Sequence, residues 1–171
     1  MSALSSTVAS ALADHYEMIR RKVHELVDPV STEQVWRRPY SYGNSIGHLL
    51  LHLTGNLNYY IGARIAATGY IRNRDREFTD AEQRPKEKVL ADFDRAIAMV
   101  IETISKQSTE DWSSAYSAER EPEAKDRFSI LLRYASHAYH HVGQIIYLCK
   151  ELAKTTSATQ DSVSSVSTKT A

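Results

Sequence analysis

Apolar residues recur at three- and four-residue steps in four stretches of the chain, and each stretch predicts an amphipathic helix. From Thr7 to Val27 the stripe is Leu12, Tyr16, Ile19, Val23 and Leu26. Asp28-Pro29 closes it, because proline pushes the preceding residue out of the helical region. A second stripe, Ile46, Leu49, Leu53, Leu57, Tyr60 and then Arg64 or Ala67, predicts a helix from about Asn44 or Ser45 to Ala67, with Gly69 as its stop. Pro85 opens a third, in which Val89, Phe93, Ile97, Val100 and Ile104 face inward as far as Lys106. The fourth runs from near Lys125 to Ala153 on Ile130, Tyr134, Ala138, Ile145 and Leu148.

The segments between these helices repeat. Ser31-Thr32-Glu33 offers an N-cap and an acidic first turn to a short helix that buries Trp36, and Ser108-Thr109-Glu110 does the same ahead of Trp112. The chain therefore divides into two helix–short helix–helix halves, as a pseudo-twofold would arrange them. Residues 70–84 are charged and without period, a long connection carrying Arg72, Arg74, Arg76 and Arg84. Solvated surface is the commoner use of such a run. The sharper use is a lip that recognises anions, since arginine pairs bidentately with carboxylate or phosphate. From 154 to 171 neither aromatics nor a period occur, which predicts a dispensable, disordered tail. The expected fold class is all-α: a four-helix bundle in one domain over residues 1–153.

Composition narrows the function. Lys+Arg and Asp+Glu number 21 each, so no basic footprint for nucleic acid or an anionic membrane exists. The single cysteine, Cys149, excludes an intrachain disulfide and, inside the last helix, is expected in the core rather than as a nucleophile. Neither a signal peptide nor about 18 consecutive apolar residues is present, which leads to the expectation of a soluble, cytoplasmic protein.

Histidine placement carries the chemistry. His137 and His141 stand four apart, about 40° from each other around a helix, and His141 falls within the apolar stripe with His137 at its edge. Helix two holds a second pair, His48 and His52, of which His52 lies nearer the stripe, and Asn56 follows one turn on. Inward imidazoles need a polar partner. The pattern predicts that His52, His137 and His141 meet on a divalent ion such as Zn²⁺, with a coordination position open as in catalytic sites. Nitrogen ligation suits Ni²⁺, Fe²⁺ or Cu²⁺ as well. Such an ion can generate a nucleophile from water near neutral pH or bind a thiol as thiolate. A set of buried, metal-free histidines is the plainer alternative. Asn56, Tyr60, Arg72 and Arg74 are the candidates to support the site or touch substrate. His140 is expected to flank it, and His15 and His24 to be surface or structural. No Glu-x-x-His, H-E-x-x-H or phosphate-binding glycine loop is present. No carboxylate falls at an inward position beside the histidines, so no catalytic acid or base is nominated.

The stretches SIGHLLLHLTGNLNYYI (Ser45–Ile61), RNRDREF (Arg72–Phe78) and HAYHHVGQIIYLCKEL (His137–Leu152) resemble the DinB-like superfamily of metalloenzymes, specifically a subfamily with G-N-L and H-x-x-x-H-x-G-Q-I-I-Y motifs. Order and spacing agree over residues 5–153. The resemblance implies an up-down-down-up four-helix bundle, often a homodimer, with a divalent metal (Zn, Ni or Fe) on His52, His137 and His141. It also implies activities ranging from thiol S-transfer with low-molecular-weight thiols to isomerisation, and no DNA chemistry. The function expected is thus a metal-dependent transferase or hydrolase that activates a thiol or water on a small-molecule substrate. The alternative is a non-catalytic, metal-binding stress-response homodimer. His48 departs from the family pattern; as a fourth ligand it would close the site.

Overall fold

The computed structural model describes residues 2–79 and 81–166, with side chains to Lys154. Helices account for all the regular structure among the described residues apart from one isolated bridge between Ala115 and Asp126. Helix α1 spans Ala3–Val27, α2 Thr32–Trp36, α3 Ile46–Asn56, α4 Arg76–Thr79, α5 Lys86–Ser105 and α6 Arg127–Val166. A π-helical segment, Leu57–Ala63, continues α3, and a 3-10 turn occupies Asp111–Ser113.

The four long helices form where the apolar stripes predict them, and the stripes become the core. Leu12, Tyr16, Ile19 and Val23 of α1, Phe93, Ile97 and Val100 of α5, and Ile130, Tyr134 and Ile145 of α6 are all buried. At the end of α1 it is Val27 that is buried, while Leu26 only borders the core. α1 packs on α5 and α6, and α3 packs on the same two, so α1 lies across from α3. Two polar contacts fix this packing. The fully buried Tyr16 hydroxyl donates to the Leu131 carbonyl at 2.7 Å, and His24 Nε2 meets the Asp94 carboxylate at 2.9 Å.

The repeated Ser-Thr-Glu segments do similar work in each half. Ser31 and Gln34 form a reciprocal capping box that starts α2. Ser108 and Asp111 make the corresponding pair of hydrogen bonds, side chain to backbone in both directions. Each tryptophan is buried with its indole N–H satisfied: Trp36 donates to the Arg84 carbonyl and Trp112 to Ser5 Oγ.

Helix ends differ from the sequence expectation in three places, the first being α1, which begins at Ala3 rather than Thr7. The second long helix stops being α-helical at Asn56, and its π-turns add residues to each turn, so later side chains rotate away from their predicted faces. Arg64 and Ala67, expected to alternate as the last core position, lie beyond the end of that segment at Ala63 and are exposed. The chain then leaves the helix through Ala67 and Gly69, both at positive φ (52° and 74°). The last helix continues to Val166, past the Ala153 end read from the sequence, because no glycine or proline interrupts residues 154–166. Of the segment expected to be a disordered tail, residues 167–171 lie outside the described residues. No helix among the described residues is long and apolar enough to cross a membrane.

Candidate metal centre

His52 on α3 and His137 and His141 on α6 come together, each offering one ligand atom, with these atoms all within 4.8 Å of one another. The spacing of four on α6 puts both rings on one side, 4.6 Å apart between centroids, and the α3–α6 contact brings His52 to 5.4 and 5.1 Å from them. His52 is buried, whereas His137 and His141 are partly exposed.

Hydrogen bonds set which nitrogen of each ring carries the lone pair. His52 Nδ1 lies 2.8 Å from Glu77 Oε2; an ionised carboxylate only accepts, so Nδ1 carries the proton and Nε2 is left basic. His141 Nδ1 donates likewise to Gln144 Oε1 at 2.7 Å, and its Nε2 is buried with no hydrogen-bond partner. His137 Nε2 sits 3.3 Å from His52 Nε2. Two nitrogens held tetrahedrally at about 2.0–2.1 Å from zinc would be about 3.3–3.4 Å apart, so this pair already has the separation of two ligands. Two facing lone pairs at that distance need a shared cation or donor. Asn56 supplies a donor: its Nδ2 is 3.0 Å from both Nε2 atoms. It cannot serve the third, and the His141 nitrogen remains the orphan.

Electrostatics keep these rings in the ligand form. Burial, reinforced by the charges His141 and His52 would carry, pushes His137 down to about 3. Burial also lowers His141, partly offset by the bond to Gln144. Both are neutral near pH 7, as metal ligation requires. Behind them Glu77 is buried. Its desolvation favours the neutral acid, but hydrogen bonds from Arg72 and His52 outweigh this and hold the carboxyl below its ordinary range.

Several sequence expectations change here. A carboxylate does stand beside the histidines: Glu77, absent from the candidate set because it lies in a charged segment without a period. Its only sequence signal is an acid five residues after Arg72, within reach of a bidentate pair. Arg72 is not solvated surface. It grips Glu77 through Nε and Nη2 at 2.7 Å each and lies 5.5 Å over the Tyr60 ring. Arg74 stands apart, over Phe78, whose ring packs 4.9 Å from His52. Asn56 is inside the site as expected. Tyr60 is behind it, stacked on Tyr134, which in turn meets the edge of His137. His48 does not join: it is buried against Trp36, and its Nδ1 is bonded to Ser45 Oγ. His140 flanks His141, and His24 ties α1 to α5. Cys149 is partly buried, with its thiol pushed up by burial.

His137 also lines a cavity of about 650 Å³ with Arg133, Ser129, Ser136, Leu132 and Glu121. Glu121 is buried, accepts from the Tyr134 hydroxyl at 2.7 Å, and pairs with Arg133. The cavity is within the range that small-molecule sites occupy.

Residues 4–164 match the model of a family described as "Protein of unknown function (DUF1572)". None of the curated proteins matches the chain. Among solved structures, the chain is similar to a conserved protein from Enterococcus faecalis, at a TM-score of 0.71 and 14% identity, over 90% of this chain and 99% of that one. At that identity the likeness concerns the fold.

Proposed function

Because this chain belongs to the DUF1572 family, whose description assigns no activity, we propose its function from the site: a metal-dependent enzyme with a divalent ion on His52, His137 and His141. One observation carries the reading. The His141 Nε2 lone pair is buried without a partner and shares a small volume with two other imidazole nitrogens. A buried acceptor left unsatisfied costs roughly 1–3 kcal/mol, which a cation at that point would recover. Glu77 and Gln144, on the far nitrogens of His52 and His141, are the partners that metal-bound imidazoles ordinarily have.

When bound, a Zn²⁺-, Ni²⁺- or Fe²⁺-like ion supplies Lewis acidity that favours the ionised form of a coordinated thiol or water. The protein's own groups do the rest. Three imidazole nitrogens leave part of the coordination sphere to a substrate. Asn56, 3% exposed, places its amide at the same point and can orient a polar group there. Arg133, Ser129 and Ser136 beside His137 offer polar contacts to a small molecule entering the cavity. The partial exposure of His137 and the cavity beside it support a transferase or hydrolase reading over a non-catalytic metal scaffold. The helix packing supports reading the fold as the DinB-like four-helix bundle, and we take the protein to act as a cytoplasmic homodimer. Leu132, Tyr139 and Tyr147 give α6 an exposed apolar face for a second copy.

The test is metal analysis of protein purified without chelator or affinity-tag metal. Near-stoichiometric metal is expected in the wild type and should be lost in His52→Ala and His141→Ala. Metal that is absent from the wild type, or unchanged in both variants, overturns the reading.

A further inference from the structure

We propose that Glu77 is the positioning residue of the histidine site, and that position 55 is glycine in order to admit it. The inference rests on the three-histidine site but on neither the identity of the metal nor the reaction. Glu77 arrives on the short helix α4, which packs against α3. Its carboxylate is held on two sides, by the Arg72 fork at 2.7 Å and by His52 Nδ1 at 2.8 Å, and is 6% exposed. The third side is the α3 backbone at Gly55. A Cβ there would lie 2.1 Å from Glu77 Oε1 and 2.8 Å from its Cδ, closer than non-bonded atoms approach.

Among the described residues, the three atoms nearest such a Cβ all belong to Glu77. Gly55 lies inside an α-helix with no positive φ, where glycine costs about 1 kcal/mol relative to alanine. A side chain meeting a new Cβ can often swing away. Glu77 cannot do so without leaving both His52 and Arg72, and the Arg72 side chain, 9% exposed, would lose its carboxylate. Gly143 on α6 is the contrast, because a Cβ there meets nothing within 4 Å. The juxtaposition assigns Gly55 and Glu77 one joint role: they fix the His52 ring with its proton on Nδ1 and its lone pair toward the other two histidines.

A double-mutant cycle tests this. Zn²⁺ affinity would be measured by chelator competition on the wild type, Gly55→Ala, Glu77→Ala, the double variant and Gly143→Ala; Glu77→Ala removes both the acceptor of His52 and the atoms that a Cβ at position 55 would meet. Loss of such an outer partner of a metal-binding histidine weakens metal binding about 10–100-fold. Each of the first two substitutions is expected to fall in that range. The double variant should bind no more weakly than Glu77→Ala alone, and Gly143→Ala should match the wild type. If Gly55→Ala only damages α3, its effect will persist undiminished in the Glu77→Ala background, and the proposal fails.

The second arm uses metal-free protein with ¹⁵N-labelled histidine. His52 should carry its proton on Nδ1 in the wild type and lose that preference in Gly55→Ala. Should Gly55→Ala not fold, Glu77→Ala, which leaves His52 Nδ1 without its acceptor, serves in its place. A wild-type His52 protonated on Nε2, or a variant unchanged from wild type, overturns the proposal. Should the wild type bind no Zn²⁺, the metal reading falls and the NMR arm alone decides the positioning role.

Discussion

The ring nitrogens that could hold a metal in this protein are also proton acceptors. His137, lowered to about 3, and His141, also lowered, are neutral in the folded state across a range where the unfolded chain protonates, near 6.5. Between those values the unfolded state binds more protons, so the free energy of unfolding rises with pH. Metal-free protein should therefore lose stability as the pH falls from about 6.5 toward 3. Glu77 acts in the same direction at lower pH: held below the ordinary carboxylate value, its contribution is present above about 4.5 and lost as the pH falls through its folded value. Urea unfolding of chelator-treated protein between pH 4 and 7 measures the slope. His137→Gln is expected to flatten it, and an unchanged slope in that variant would show that other groups govern acid sensitivity.

At the scale of elements, short capped segments set how the long helices enter the core. Ser31 satisfies the Gln34 N–H at 3.2 Å while Gln34 returns a bond to the Ser31 N–H at 3.0 Å, and this box aims Trp36 inward. Ser31→Ala should cost about 1 kcal/mol. Thermal unfolding checks it, and the loss should appear without a change in metal content, since α2 holds none of the three histidines. The π-segment after Asn56 works differently. It changes which side chains face inward, so Tyr60 and Ile61 are buried together while Arg64 reaches out to the Ser117 carbonyl at 2.7 Å.

For the whole molecule, the α6 stripe carries the last apolar burial among the described side chains. Leu148 and Leu152 are the last buried apolar side chains among the described residues, at 6% and 2% exposure. A chain ending at Lys154 should keep the melting temperature and metal stoichiometry of the full-length protein, as the sequence composition of 154–171 also suggests. A lower melting temperature would show that residues beyond 154 pack on the rest of the molecule.

The parts of this protein that repeat can be read from its residues in order. Four apolar stripes at helical period specified four long helices, because burial of one face recurs every turn and leaves a countable pattern. The same periodicity put His52, His137 and His141 on inward faces and marked Asn56 as their neighbour; it set His48 farther from the stripe than His52, whereas the fold buries that ring against Trp36. Tertiary structure decided everything that depends on a single long-range contact. Glu77 belongs to a segment with no period, so only the fold could show it against His52; Arg72 looked like surface until that carboxylate buried it. The orphaned nitrogen of His141 and the missing Cβ at Gly55 are likewise invisible one residue at a time. Each is a matter of what stands opposite, and only packing of α4 on α3, and of α3 on α6, supplies the opposite side.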